Sequence, residues 1–518
     1  MKTISVGSPT YKVSLDTNFR NIQDNFVEIF GRWTAASQAA VQTAIDSGLK
    51  VIRVDPGVIP VVGQITIPAD VTLCGDGPDS TIFTAVGDEK GIYPDNAVIY
   101  KSGSAPSQIA GLIADVAKGS THLVFEEPHG LSVRDVVLIY NPTDYSFSGA
   151  RPSYRAGEYA TVAEITNSTE AKLESGLWDS YVAVNVNVYK CGGYARGGMS
   201  GFSVIAPGPG KNGVVRALAI DFAHGLLVDN IRASGSDNAS MSISKSYKIT
   251  VRDIDAHQWS ESPGFGTQYG LSIGNSQDID ISGRFTGWRH GIAQGGGDDF
   301  SIPVRGSVVH DFVAKSRGGV LAAADWHGNV EHSVYERGRV FGGGLHIAGN
   351  NNRISGIDAY GADMLLIYGR EIQGCNHIVE NVRCWTGMND LTRGIIDIGG
   401  NSSPMTANTK FGGSFIFRNI FIDAPNHTGS AIAVRNRGFV GDDFEVLADN
   451  ITMTAPNSNS PDAGVVTVLT VGGDACSRVS ATNITSSLSN VTPALYLGAA
   501  DIAGGCLVRR DLQVWETP

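Results

Sequence analysis

Apolar positions recur along most of this chain with the period of an extended strand rather than a helix. From about residue 215 a unit repeats: Gly or a small residue, a short apolar run, a polar Asn/Gly/Ser turn, then a second alternating run. It reads as His224-Gly-Leu-Leu-Val-Asp-Asn-Ile, Ser240-Met-Ser-Ile-Ser-Lys-Ser-Tyr-Lys-Ile-Thr-Val and Tyr269-Gly-Leu-Ser-Ile-Gly-Asn-Ser-Gln-Asp-Ile-Asp-Ile. Further copies begin at His290, Gly319, Gly344, Met364, Gly394, Ala431, Val465 and Ala494, about 20 to 37 residues apart. Strands this short cannot bury their inward side chains alone, whereas coils stacked at about 4.8 Å share hydrogen bonds and one apolar column. The pattern therefore predicts an all-β parallel solenoid. A propeller would need a steadier period of about 40–50 residues.

Two stretches depart from the repeat. Leu15, Phe19, Ile22, Phe26 and Ile29 follow 4-3-4-3 spacing, a seam two heptads long, which suits a helix in an oligomer or one packed on its own chain. A second helix is expected from Thr34, as N-cap, to Gly48. Residues 109–189 hold longer alternating strands, among them Asp135-Val-Val-Leu-Ile-Tyr and Tyr159-Ala-Thr-Val-Ala-Glu-Ile. They predict a small antiparallel insertion, expected to cover one end of the solenoid.

Composition narrows the function. The 518 residues include 64 Gly and carry 17% charged side chains with a net charge of −12. An acidic chain lacks the Lys/Arg surplus of a sequence-independent nucleic-acid binder, and no apolar run is long enough for a spanning helix, so neither nucleic acid nor membrane is an expected partner. The six cysteines are scattered without a CxxC pair, and no His/Cys/Asp/Glu group has metal-ligand spacing. No metal or other cofactor is expected.

The run Thr34-Ala-Ala-Ser-Gln-Ala-Ala-Val-Gln-Thr-Ala-Ile through Ile67-Pro-Ala-Asp-Val-Thr-Leu-Cys-Gly-Asp-Gly resembles the opening of pectate-lyase-like proteins of the bacteriophage tailspike and capsule depolymerase type. The stretch Tyr154-Arg-Ala-Gly-Glu-Tyr is similar to part of a small β subdomain in many of them. The resemblance implies a right-handed parallel β-helix, usually a homotrimer, with an N-terminus that attaches to the phage tail or an adaptor protein. It implies a virion protein, assembled in the host cytoplasm, that binds and cleaves capsular or O-antigen polysaccharide at the host surface. The expected division is 1–33 for attachment or trimerisation, 34–108 for the first coils with a capping helix, and 109–189 for the insertion. The main helix then takes 190–454, and 455–518 forms last coils or a trimer lock.

The candidate chemistry lies in two successive coils, Trp288-Arg289-His290-Gly291 and Asp325-Trp326-His327-Gly328. These resemble the Arg-His-Gly and Asp-x-His steps of phage proteins of this kind. Independently of that, Tyr269 and His290 both precede the Gly that opens a coil, and so are expected about 5 Å apart. Asp325 and His327, at i and i+2, share one side of an extended segment. A carboxylate beside an imidazole is an acid/base pair, so Asp325, His327 and His290 are the expected catalytic groups. Arg289, Trp288, Tyr269 and Trp326 are expected to hold substrate, with Asp298 and Asp299 after Gly295-Gly296-Gly297 as further carboxylates. Trp259, Trp288, Trp326 and Trp385 supply flat faces for pyranose rings, or else packing. Hydrolysis is the leading expectation. The alternatives are β-elimination on a uronate, with Arg289 neutralising its carboxylate, and a groove that binds glycan without cleaving it.

Overall fold

The computed structural model describes residues 34–512, apart from 36, 88–91, 144, 146–153, 209–214, 237, 259–267, 298–299, 318–321, 362–366, 373–375, 388–393, 400–411, 437–443, 455–464, 471–475, 487–494 and 498–505. The expected N-terminal heptad helix, Trp259, Asp298 and Asp299 lie outside the described residues, as does most of 455–518.

The chain winds as a parallel β-helix with the right-handed crossovers usual for parallel strands. One wall is a 13-stranded parallel sheet of short strands, from Ile65–Ile67 to Leu495–Leu497. Longer strands of up to 11 residues, such as Tyr247–His257 and Phe444–Thr454, build the other walls. Successive coils pair in register, so each side chain sits above its counterpart in the next coil. Val228, Val251, Ile281, Val309, Tyr335, Ile354 and Val379 form one such inward file, every member no more than 1% exposed.

The long strands bend midway, and the bend explains the Asn-rich turns of the sequence. Asn381, Asn419, Asn450 and Asn483 all have φ between 53° and 55°, the left-handed region that Asn tolerates better than branched residues. The register stacks them in one file. Asn419 Nδ2 donates to Asn381 Oδ1 at 3.0 Å, and Asn450 Nδ2 donates to Asn419 Oδ1 at 2.9 Å. Stacking thus converts a local backbone preference into a ladder of amide bonds.

The first helix starts later than expected. Ser37, not Thr34, is the N-cap of the Gln38–Asp46 helix, its hydroxyl accepting from Ala40 N, while Thr34–Ala35 is a short strand paired with Arg53–Val54. Val41 and Ala44 are fully buried against the first coils, so this helix helps close the core there.

Strands between Ser107 and Lys190 form a separate six-stranded antiparallel sheet with its own core around Leu123, Val137, Val162 and Val188. It does not cover the end of the solenoid, as the need to shield an unpaired edge there first suggests, but docks on the flank. Gln277 of the β-helix acts as a strand edge for it, accepting from Tyr159 N at 2.9 Å and donating to Tyr159 O at 3.0 Å. Arg305, 1% exposed, reaches Asp179 at 2.6 Å on the insertion and Glu331 at 2.7 Å on the β-helix. Glu158, also buried, accepts from the Trp178 and Asp179 amides and from Tyr181 Oη. Charges taken from water at this joint are therefore paired, as burial demands.

The bend file can be tested directly. Asn419→Ala is expected to cost about 1 kcal/mol of stability through the left-handed backbone penalty, and Asn419→Gly less, as measured by chemical unfolding. Equal losses in the two variants would place the effect in the amide ladder alone.

Candidate active site

The short-strand wall has an outward file that is charged and yet closed in. Register places Ala293 beside Asp325 and Asp325 beside His346. Asp325 is 1% exposed and His346 3% exposed. Strand alternation fixes which side chains share this file. Asp325 faces outward from the Ala322–Trp326 strand, so Trp326 must face inward.

Three imidazoles surround the Asp325 carboxylate. His346 Nδ1 donates a short hydrogen bond to Oδ1. His290 Nε2 and His327 Nε2 lie 3.2 and 3.1 Å from Oδ2. His290 Nδ1–H donates to the Ala322 carbonyl at 2.6 Å, so Nε2 is the ring atom that faces the carboxylate. Burial lowers the His290 pKa to about 4, against the opposing pull of Asp325. Burial would also raise the Asp325 carboxyl, but His290, His327 and His346 together reverse that and hold it well below the usual carboxylate range. The site is an ionised carboxylate within a ring of imidazoles, of which His327 is the most open, with 15% of its side chain exposed.

Backbone choices nearby serve His327. Its amide donates to Gln294 O at 2.8 Å, which sets the residue beside Gly295. A Cβ on Gly295 would stand 2.6 Å from His327 Cβ and 2.9 Å from Nδ1, so glycine leaves the imidazole its space.

The other expected residues divide into two groups. Tyr269 and His290 are register partners with ring centroids 5.3 Å apart, and the Arg289 guanidinium lies 5.9 Å from the Tyr269 ring centre. Trp288 is half-buried, its amide donating to Gln258 Oε1 at 2.9 Å. These residues border the carboxylate cluster. Trp326 does not: it is fully buried and stacks on Tyr335 at 4.2 Å inside the solenoid, so it is a core residue rather than a substrate contact. Glu331 and His332 face the insertion, the first paired with Arg305 and the second tilted by 36° against the Trp178 ring at 4.5 Å. Among the described residues no group of three or more His, Cys, Asp or Glu is arranged to hold a metal ion. His346 is the residue the sequence reading missed. Its signal is the alignment of coil copies, which sets Leu345-His346-Ile347 directly beneath Ala324-Asp325-Trp326.

Residues 234–441, which contain this cluster, match the family model described as Gp49, pectin lyase-like. Residues 100–191, the flanking antiparallel sheet, match the tailspike protein-like, Ig-like domain. The two matches cover separate parts of the chain. Its β-helix is similar to that of the Pseudomonas phage phi297 tailspike gp61, with TM-score 0.69 and 21% identity over 86% of this chain and 73% of that one. It is also similar to the tailspike gp49 of Pseudomonas phage LKA1, with TM-score 0.64 and 21% identity over 89% and 77%. A third similar structure is the Gp54 tailspike of Acinetobacter baumannii bacteriophage AP22 in complex with A. baumannii capsular saccharide. There the TM-score is 0.60 and the identity 20%, over 90% of this chain and 69% of that one. No curated protein matches the chain in sequence. The Asp325 cluster lies within the stretch that matches the pectin lyase-like model, and Arg305 ties to it the sheet that matches the Ig-like model.

Buried neutral imidazoles give this chain an acid-side weakness. His224, His290 and His377 all have pKa values lowered to about 4, chiefly by burial. Once unfolded, each regains a pKa near 6.5, so below that pH the unfolded state binds more protons. Stability is present above about pH 6.5 and falls toward pH 4, by up to about 1.4 kcal/mol per pH unit for each ring. Unfolding midpoints measured across this range are expected to show the slope, and His290→Gln to reduce it by about one proton.

Proposed function

We propose that this chain is a phage tailspike that depolymerises a bacterial surface polysaccharide, capsule or O-antigen, with the Asp325 cluster as its catalytic centre. The observation that carries the reading is the ionised, enclosed Asp325 carboxylate held against His327, the most open of its three imidazoles. It is supported by the Gp49 and tailspike Ig-like domains and by the capsular saccharide in the similar AP22 protein. Such a protein works in a virion tail at the host surface. Homotrimer assembly and attachment through residues 1–33 to a tail or adaptor protein belong to the same proposal.

Chemistry assigns the roles. Asp325 is expected as acid or nucleophile; a carboxyl held in its ionised form has no proton to give, so it serves as a nucleophile or as the anion that orients and charges an imidazole. With Nε2–H toward Asp325, His327 keeps its Nδ1 lone pair on the side that Gly295 leaves free. An imidazolium formed there is stabilised by the adjacent anion. His290 and His346 brace the same carboxylate from either side. Arg289, beside Tyr269, suits a substrate carboxylate, and Trp288 offers a ring face.

These groups supply β-elimination more completely than hydrolysis. His327 Nδ1 takes the C5 proton of a uronate while Arg289 neutralises its carboxylate. The C4–O bond breaks as the C4–C5 double bond forms, and the leaving oxygen takes a proton from Tyr269 or solvent. Hydrolysis, the reading that the sequence favoured, needs a second carboxylate about 5–9.5 Å from the first. Asp298 and Asp299, just beyond Gly295 and Gly296, are the candidates that keep it as the second reading.

Asp325→Asn and His327→Ala are expected to lower the depolymerisation rate about 10²–10⁴-fold, with kcat falling more than KM changes and the unfolding midpoint showing a folded chain. Unsaturated uronate in the products identifies elimination. Saturated reducing ends identify hydrolysis. Full activity in Asp325→Asn would remove the cluster from the mechanism.

A further inference from the structure

A second outward file, on the long-strand sheet, carries a stack of aromatic rings that the catalytic reading does not use. Register places Lys315, Phe341, Tyr360, Trp385, Asp423 and Thr454 one above another in successive coils. Phe341 and Tyr360 stack at 5.3 Å with 14° between planes, and Tyr360 and Trp385 stack at 4.9 Å with 4° between planes. All three are only partly buried.

The stack stops at Trp385. The next member of the file is Asp423, which is smaller than a ring, and the neighbouring Phe421 is tilted by 57° at 6.2 Å instead of lying parallel. The interruption leaves an open recess of about 490 Å³ lined by Tyr360, Trp385, Thr386, Asp423 and Pro425. Its carboxylate is held in place, since Thr454 Oγ1 donates to Asp423 Oδ1 at 2.7 Å. Arg383, over the Trp385 ring at 5.8 Å, is already paired with Asp358 at 2.7 Å.

We infer that this recess is a glycan-binding subsite, separate from the Asp325 cluster, that takes a neutral hexose or N-acylhexosamine ring. The inference rests on the reading of the chain as a polysaccharide-binding tailspike. A flat aromatic face presents a surface on which the C–H face of a pyranose packs with little loss of side-chain freedom. An anchored carboxylate beside it accepts from sugar hydroxyl groups. The same carboxylate, in a recess whose lining holds no cation among the described residues, repels a uronate, so this site selects neutral residues of the polymer. It lies on a different wall from Asp325, and a repeating polymer that engages both gains from holding one chain at two points.

The test uses the full-length protein against a printed array of bacterial capsular and O-antigen oligosaccharides, followed by titration of the best binder. Catalysis is silenced by Asp325→Asn in every sample. Trp385→Ala and Asp423→Asn are each expected to weaken binding about tenfold, while Trp385→Phe keeps most of it and the unfolding midpoint and particle mass do not change. Binding unaffected by Trp385→Ala and Asp423→Asn would overturn this subsite while leaving the tailspike reading in place. A change of particle mass without a change of glycan binding would overturn it too, and assign the ring stack to contact with another copy of the chain. Absence of binding by the Asp325→Asn parent to every saccharide would overturn the subsite together with the reading beneath it.

Discussion

Everything in this molecule follows from in-register stacking of coils. Each residue is placed about 4.8 Å from its counterpart above and below, so a side chain is acceptable only if it tolerates its file. Apolar residues satisfy this easily, and the inward file from Val228 to Val379 is closed to water. Asparagine satisfies it at the bends, where one amide donates to the next and the left-handed backbone is tolerated. Aromatic rings satisfy it by lying parallel. Like charges do not satisfy it, and here the constraint becomes chemistry.

Asp325 has no carboxylate in the coils beside it. Ala293 precedes it and His346 follows it in the file, while His290 and His327 approach from the flanks. A buried anion needs partners, and the imidazoles supply them: His346 Nδ1 donates to Oδ1, while His290 and His327 stand against Oδ2. The cluster is thereby held as an anion, one carboxylate among imidazoles on a rigid wall.

The architecture was legible because it repeats. Short apolar runs between Asn/Gly corners announce parallel coils, and i, i+2 spacing announces that Asp325 and His327 share a face. The same alternation turns Trp326 the other way, into the core against Tyr335, where a substrate contact had been expected. Two other features were hidden for physical reasons. His346 belongs to the site through register between coils, which unequal loops between copies obscure. The flank docking of the antiparallel sheet depends on Gln277 and Arg305, single polar residues within apolar strands whose partners lie more than a hundred residues away in the chain. The Arg305 joint is read from distance in space, not from local pattern.

The central claim is that substrate is handled at the outward Asp325 file. The most direct measurement is a structure of the full-length Asp325→Asn chain with an oligosaccharide of its host's surface polysaccharide. The account predicts the scissile sugar beside His327, with its reacting proton or glycosidic oxygen within hydrogen-bond reach of Nδ1 and Arg289 on the substrate's charged group. An oligosaccharide bound with its cleavable linkage on another wall, and no sugar near His327, would contradict it.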